Sequence, residues 1–411
     1  MNTLEILSLL FGTAAIFGLI SVRWLRLPIT VGTMLLTVLV SAGLTLVAGE
    51  VPSIHRWAAD LMLRIDFESI IMHGMLPLLL FAGAFLLDLK QLAKEKLTVS
   101  LLSVLGTTIC FLLVALLMSL FSGRHIPWME CLIFGALISP TDPIAVLEML
   151  RRIGVPANIQ AQLAGESLFN DGLGAVLFIT MLELARGNAP TPLHVAGSLV
   201  VKAGGAVIVG IFAAWVASHL MGRIDSYQVD ILFTVALALG GYALADMLHL
   251  SAPLEAVVAG IALRLFNEEI PEERIAHEPV ESFWTVIDEI QNSVLFVLLG
   301  LEAMAISFDA MALRAGLGAI VSVNVVRFAA VALLLAIARL LRRGSRSSTL
   351  LLTWGGLRGG LSIALALSVP EALGRSWMLG ATYLVVVFSI IIQGGSMDWL
   401  LRMRKARQVA A

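Results

Sequence analysis

Glu166, Asn170 and Asp171 stand inside the stretch GESLFNDGLGAVLF that begins at Gly165, where nearly every neighbour is apolar. A carboxylate carried into a bilayer costs at least a few kcal/mol, so its presence there points to function. At 100° per residue Ser167 and Asp171 share one helix face, while Glu166 and Asn170 share another, with Glu166 roughly 140° from Asp171. The two carboxylates therefore have different jobs. Asp171 and Ser167 are expected to face the segment Ser139, Pro140, Thr141, Asp142, Pro143, whose prolines remove backbone donors and push the residue before each out of helical geometry. Thr141, Asp142 and the freed carbonyls would complete an all-oxygen shell suited to a hard cation such as sodium, with Asp171 as the metal ligand. One carboxylate holds a proton or a cation but hardly both, and that exclusion couples the two in obligatory exchange. The plainer alternatives are a structural acceptor at Asp171 and a half-helix cap at Asp142.

Glu166 and Asn170 would face the protein core, where Arg327 and Arg358 also lie within apolar runs. A membrane-embedded arginine must find an anion or carbonyls. Spacing does not decide which arginine meets which carboxylate. The favoured reading pairs Glu166 with Arg327, a structural pair that also orients Asn170, and leaves Arg358 to neutralise helix ends at its own chain break. Lys202 is expected to snorkel. The seven histidines, from His55 to His277, form no ligand-spaced cluster, and Cys110 and Cys131 read as small buried hydrophobes. There is no phosphate-binding loop and no catalytic triad signature, so neither ATP use nor an enzyme is expected, and no cofactor. A net charge of -2, with no basic stripe, argues against a nucleic-acid partner.

The elements that must position these residues are membrane-spanning helices. The chain has 411 residues, 59% hydrophobic and 14% charged. A hydrocarbon core of about 30 Å takes about twenty helical residues, and lipid offers the backbone no partners. Runs such as 97 to 121 and 315 to 338 are apolar on every face, which excludes the alternating strands of an outer-membrane barrel. The expected fold is an all-α polytopic membrane protein of about 13 transmembrane helices in a single domain spanning 1 to 411. The helices fall near 4–22, 27–48, 67–87, 97–121, 129–150, 158–185, 194–221, 228–248, 251–266, 282–304, 311–340, 349–370 and 377–400. The acidic stretch from Asn267 to Glu281 reads as a solvated linker, and the N-terminus as a retained first helix. Alternate loops collect Arg23 and Arg26, Lys90, Lys94 and Lys96, Arg151 and Arg152, Arg223, Arg264 and Arg274, Arg339 to Arg346, and Arg402 to Arg407. The positive-inside rule makes that side cytoplasmic, with the N-terminus periplasmic and the C-terminus cytoplasmic in an inner membrane. Trp24, Trp57, Trp128 and Trp399 fit interface anchors.

Helix 5 is interrupted by its prolines and helix 12 by Gly355, Gly356, Gly359 and Gly360 around Arg358. The two broken helices are seven apart in chain order. If residues 1–185 and 228–400 are two copies of a six-helix unit, joined through a linker helix at 194–221, that odd offset makes them inverted. Inverted repeats with paired broken helices are a mark of secondary transporters, because unwound backbone at membrane depth survives only where it lines a cavity.

With those residues in hand, the chain resembles the bacterial NhaP-type proteins of the sodium/proton exchanger branch of the cation/proton antiporters. The stretches that carry the resemblance are ISPTDPIAVLEMLRRIGVP from Ile138, GESLFNDG from Gly165, VVRF from Val325 and WGGLRGGLSIALALSVP from Trp354. The resemblance implies a homodimer in membrane lipid, with a dimer domain and a mobile core domain. It also implies that Asp171 carries the ion, that Asn170, Thr141, Asp142 and Ser167 lie close by, and that Arg327 pairs with Glu166. The Asn170–Asp171 pair resembles the mark of electroneutral one-for-one exchange. Phe81, Ala82 and Gly83 stand where many relatives carry an acidic residue. The expected activity is exchange of sodium, and lithium with it, for protons. Potassium/proton antiport is the alternative, and a passive channel or a membrane sensor stands further off.

Overall fold

A computed structural model of the protein describes residues 3–25, 27, 29–48, 67–142, 146–147, 150, 155–187, 192–221, 223, 226–268, 277–302, 310–341, 348–397 and 399–401. Pro143, His55 and Trp57 lie outside the described residues. So do Arg26, Arg56, Arg64, Arg151, Arg152, Arg274, Arg342, Arg343, Arg346, Arg402, Arg404, Lys405 and Arg407, which leaves much of the loop-charge argument without structural counterpart.

Every named element among the described residues is helical. In chain order they are α1 (Thr3–Ile20), α2 (Ile29–Ala48), α3 (Ile70–Phe85), α4 (Leu89–Phe121), α5 (Trp128–Ile138), α6 (Ala157–Ala185) and α7 (Pro192–Met221). They continue with α8 (Tyr227–Met247), α9 (Ala252–Glu268), α10 (His277–Glu302), α11 (Ala310–Leu341), α12a (Thr349–Trp354), α12b (Gly360–Leu367) and α13 (Arg375–Phe388). Eight described helices are long and apolar enough to cross a membrane. Their starts follow local chemistry: the Asp88 side chain accepts from Gln91 N at 3.0 Å to cap α4, and extended Pro127 and Pro156 precede α5 and α6.

The break expected in helix 5 begins after Ile138, where α5 ends. One departure from the sequence reading matters: the segment read as a linker from Asn267 to Glu281 is helical at both ends. Asn267 is buried within α9, and Glu281 lies on α10, where Arg264 donates to it. An acidic composition looks solvated in sequence, but a carboxylate that meets a guanidinium along a helix need not be.

The helices pack as two groups. In one, α9 lies against α3, α7 and α8, while α10 packs on α1, α2 and α3. Glycine sets the closest approach: a Cβ on Gly260 of α9 would overlap the Phe81 carbonyl of α3. Trp284 of α10, fully buried, packs a tilted ring against Phe81 with centroids 4.8 Å apart and donates its indole N–H to Thr234 of α8 at 3.0 Å. In the other group α11 packs against α4 and α13, and α6 against α4 and α5. Their shared core includes Phe134, Phe178, Val326 and Trp377. Apolar side chains of α1 and α7 such as Leu19, Val200, Ile208 and Phe212 point outward, as a lipid-facing surface requires. The functional cavity lies where the two groups meet.

Candidate functional site

The unwound ends of α5 and α12a cross. Asp142 N donates to Leu357 O at 2.8 Å, a single antiparallel bridge between two interrupted helices. Pro140 has no N–H to extend α5, and the glycines after Trp354 leave room for polar groups beside the backbone. A Cβ on Gly359 would overlap the Asp142 carboxylate, and one on Gly356 would overlap the Arg327 guanidinium. Asp142 thus lies at the N-terminal end of α12b, where the unpaired N–H groups and the helix dipole favour an anion.

Arg358 does not serve the ends of its own broken helix, as the sequence suggested. Its Nη1 donates to the carbonyls of Ser139 at 3.0 Å and Pro140 at 2.9 Å, so it caps the C-terminal end of α5. The crossing of the two breaks brings it there, and the orphan carbonyls supply the partial negative charge it needs. Arg327 makes a two-pronged pair with Glu166, donating from Nη1 to one carboxylate oxygen and from Nη2 to the other at 2.9 Å. Nη2 also reaches Leu352 O at 3.0 Å. Both side chains are buried, so the charges are matched where water cannot screen them.

Asn170 is oriented by Thr141 and not by the Glu166–Arg327 pair. Its Nδ2 donates to Thr141 Oγ1 at 2.7 Å and its Oδ1 accepts from Thr141 N at 3.2 Å. The reason is angular: Asn170 stands only about 60° from Ser167 on the helix, near enough to reach the same segment. Ser167 Oγ donates to Thr141 O. Gly174 helps, since a Cβ there would overlap the Pro140 ring and hold α6 off the break. Thr141 is therefore held at its amide, hydroxyl and carbonyl by two residues of α6.

Asp171 lines a cavity of ≈ 490 Å³ together with Pro140, Thr141, Asp142 and Ser167. It is in part open to that space, and its carboxylate makes no hydrogen bond or ion pair with the described residues. The charges that act on it are Asp142 and Arg358. The arrangement is one carboxylate left available among oxygen atoms whose positions are set by other partners.

Sequence reasoning missed the opposite side of this cavity. Glu281, Thr285, Asp288, Glu289 and Asn292 of α10 line it with Gly83 of α3, and Ser362 of α12b, also missed, lines the cavity as well. The α10 spacing of four, three, one and three residues is one helix face, a signal present in the sequence. Lys202, read as a snorkelling side chain, instead pairs with Glu183 at 2.7 Å. Glu255 of α9, also missed, is fully buried against Gly241, with neither carboxylate oxygen hydrogen-bonded among the described residues, and it does not line the cavity. Cys110 and Cys131 are buried free thiols, and among the described residues no three His, Cys, Asp or Glu side chains group as a metal centre.

Comparison with known proteins places this geometry. The sequence profile of the family described as "Sodium/hydrogen exchanger, transmembrane" matches residues 11–403. The Na(+)/H(+) antiporter NhaP of Pseudomonas aeruginosa is 37% identical over 410 residues, covering 97% of this chain and 96% of that one. The Na(+)/H(+) antiporter NhaH of Halobacillus dabanensis is 32% identical over 89% of this chain and 90% of its own. The sodium proton antiporter MjNhaP1 of Methanocaldococcus jannaschii superposes with a TM-score of 0.72 at 20% identity, over 97% of this chain and 98% of that one, and so shares the fold. The chain belongs to the sodium/hydrogen exchanger family.

Proposed function

We propose that this exchanger carries sodium inward or outward against protons by letting the two compete for Asp171. The observation that carries the reading is the solitary Asp171 carboxylate beside Thr141, Asp142 and Ser167 in a cavity, while the other buried charges around the two helix breaks already have partners. Carboxylate, carbonyl and hydroxyl oxygens are the ligands that a hard alkali cation takes, and Ser167, having donated its proton to Thr141 O, still has lone pairs to offer. The relatives named as Na(+)/H(+) antiporters support sodium as the ion. Lithium, smaller and equally hard, is expected to replace it.

The cavity lies between the two helix groups, with α3 and α10 on one side and α6 and α12b on the other. Sliding one group past the other would close this face and open the opposite one, which is alternating access. Glu281 lines the cavity and pairs with Arg264, on the side that the loop charges make cytoplasmic, so we read this state as inward-facing in an inner membrane. Asn170 is an uncharged amide, so Asp171 is the one exchanging carboxylate of the pair and one charge enters for one that leaves. Exchange is then electroneutral, driven by about 1.4 kcal/mol per pH unit or per tenfold sodium gradient. The broken elements α5 and α12 fit two inverted repeats, and a homodimer fits the family's architecture.

The test is sodium-induced pH change in proteoliposomes, wild type against Asp171→Asn, repeated with potassium and with the membrane potential clamped. Loss of exchange in the variant, with no voltage dependence in the wild type, supports the reading. Exchange surviving in Asp171→Asn moves the proton carrier to Asp142 or Glu166, and a stronger potassium response makes the protein a potassium/proton antiporter.

A further inference from the structure

Two polar side chains in the cavity wall are buried and unsatisfied. Asn292 of α10 is 1% exposed and Ser362 of α12b is 1% exposed. Among the described residues neither Asn292 Oδ1 nor Ser362 Oγ has a hydrogen-bond partner, and both residues line the cavity that holds Asp171. The orientation of the Asn292 amide follows from its neighbour. Its Nδ2 donates at 2.8 Å to the backbone carbonyl of Asp288, which can only accept, so the amide oxygen is turned away from its own helix. Ser362 is unsatisfied because of where it sits. Mid-helix hydroxyls here return to the carbonyl four residues back, as Ser322 does to Gly318 and Thr180 to Val176. Ser362 is the third residue of α12b, so the residue four back is Arg358, in the unwound segment.

The two residues lie close to one contact between their helices. Leu295, one turn beyond Asn292, is the side chain that a Cβ on Gly360, two residues before Ser362, would strike. On the same α10 face Glu281, Asp288 and Glu289 lead along the cavity, giving it the sign that attracts a cation. Leaving a buried acceptor unmade costs about 1–3 kcal/mol, and here there are two.

We infer that Asn292 Oδ1 and Ser362 Oγ form a second, uncharged subsite for the monovalent alkali cation, between α10 and α12b, which takes the ion partly dehydrated before it passes to Asp171. This rests on Asp171 being the exchanging carboxylate. Neutral oxygens suit a transit site: they replace part of the hydration shell yet hold the ion too weakly to trap it.

The experiment measures sodium and lithium KM and Vmax in proteoliposomes for Asn292→Ala, Ser362→Ala and Ser362→Thr, with Asp171→Asn alongside. Asn292→Ala and Ser362→Ala are each expected to raise the sodium KM about fivefold with Vmax held, and to change the ratio of sodium to lithium KM. Ser362→Thr, which returns the hydroxyl, is expected to restore the wild-type KM. Wild-type KM values and ion ratio in both alanine variants, or a fall in Vmax alone, would overturn the subsite. If Asp171→Asn is dead while the alanine variants behave as wild type, only the second subsite fails. If Asp171→Asn still exchanges, the reading of Asp171 fails first. Gel filtration in detergent reports folding. Should Asn292→Ala misfold, Asn292→Ser withdraws the amide oxygen with a smaller polar side chain, and its KM is read the same way.

Discussion

The Glu166–Arg327 pair joins α6 to α11 with both side chains buried, so neither member is dispensable alone. Removing one partner leaves the other charge buried and unmatched, at a cost of about 3–5 kcal/mol, whereas removing both takes away the desolvation penalty as well. Arg327→Met is therefore expected to lower the Tm of the detergent-solubilised protein steeply, and Glu166→Met with Arg327→Met to recover much of the loss. A double variant no more stable than the single would show that the pair is not an isolated charge match. At Asp171 the expectation is kinetic. If one proton and one cation exclude each other, the apparent sodium KM rises as pH falls, approaching about tenfold per pH unit on the acid side, with Vmax unchanged. A KM independent of pH, measured with the proton gradient collapsed at each value, would separate the proton site from the sodium site.

At the scale of elements, the crossing of α5 with the α12 break depends on one side chain and one missing side chain. Arg358 satisfies two carbonyls at the end of α5 through Nη1. Arg358→Lys keeps the charge but replaces a rigid fork with a point charge on a flexible stem. It is expected to cut exchange at least tenfold and to lower Tm, and a lysine variant with wild-type turnover would mean that charge alone suffices. Gly359 is set by close approach: any Cβ there overlaps the carboxylate of Asp142. These relations explain the dense glycines in WGGLRGGLS. They admit Arg327 and Asp142 to the backbone, and a helical pattern read along the chain shows only that the helix is interrupted.

For the whole molecule, turnover by relative movement of the two helix groups requires that the α10 wall separate from α12b. Leu295 and Gly360 touch across that boundary. Leu295→Cys with Gly360→Cys, in a background where the buried Cys110 and Cys131 are replaced by alanine, is expected to lose exchange on oxidation and regain it on reduction. Unchanged exchange in the cross-linked protein, with cross-linking verified by mass spectrometry, would mean that the two walls stay together through the cycle.

The sequence alone determined the membrane class, the helical architecture, the sites of both helix breaks and the candidate residues Thr141, Asp142, Ser167 and Asp171. These follow from hydropathy, from proline and glycine, and from helical phase, all of which are local. Tertiary structure decided the partners. Arg358 caps α5 because the two breaks cross, although 218 residues separate it from Pro140. Asn170 turns to Thr141 because an amide 60° off the expected face still reaches a segment that Gly174 has let in close. The acidic face of α10 was present in the sequence as spacing, but a run of carboxylates looks like solvent exposure until a cavity is seen in front of it. Phase along one helix says which way a side chain points, and only the packing of the other helices says what it meets there.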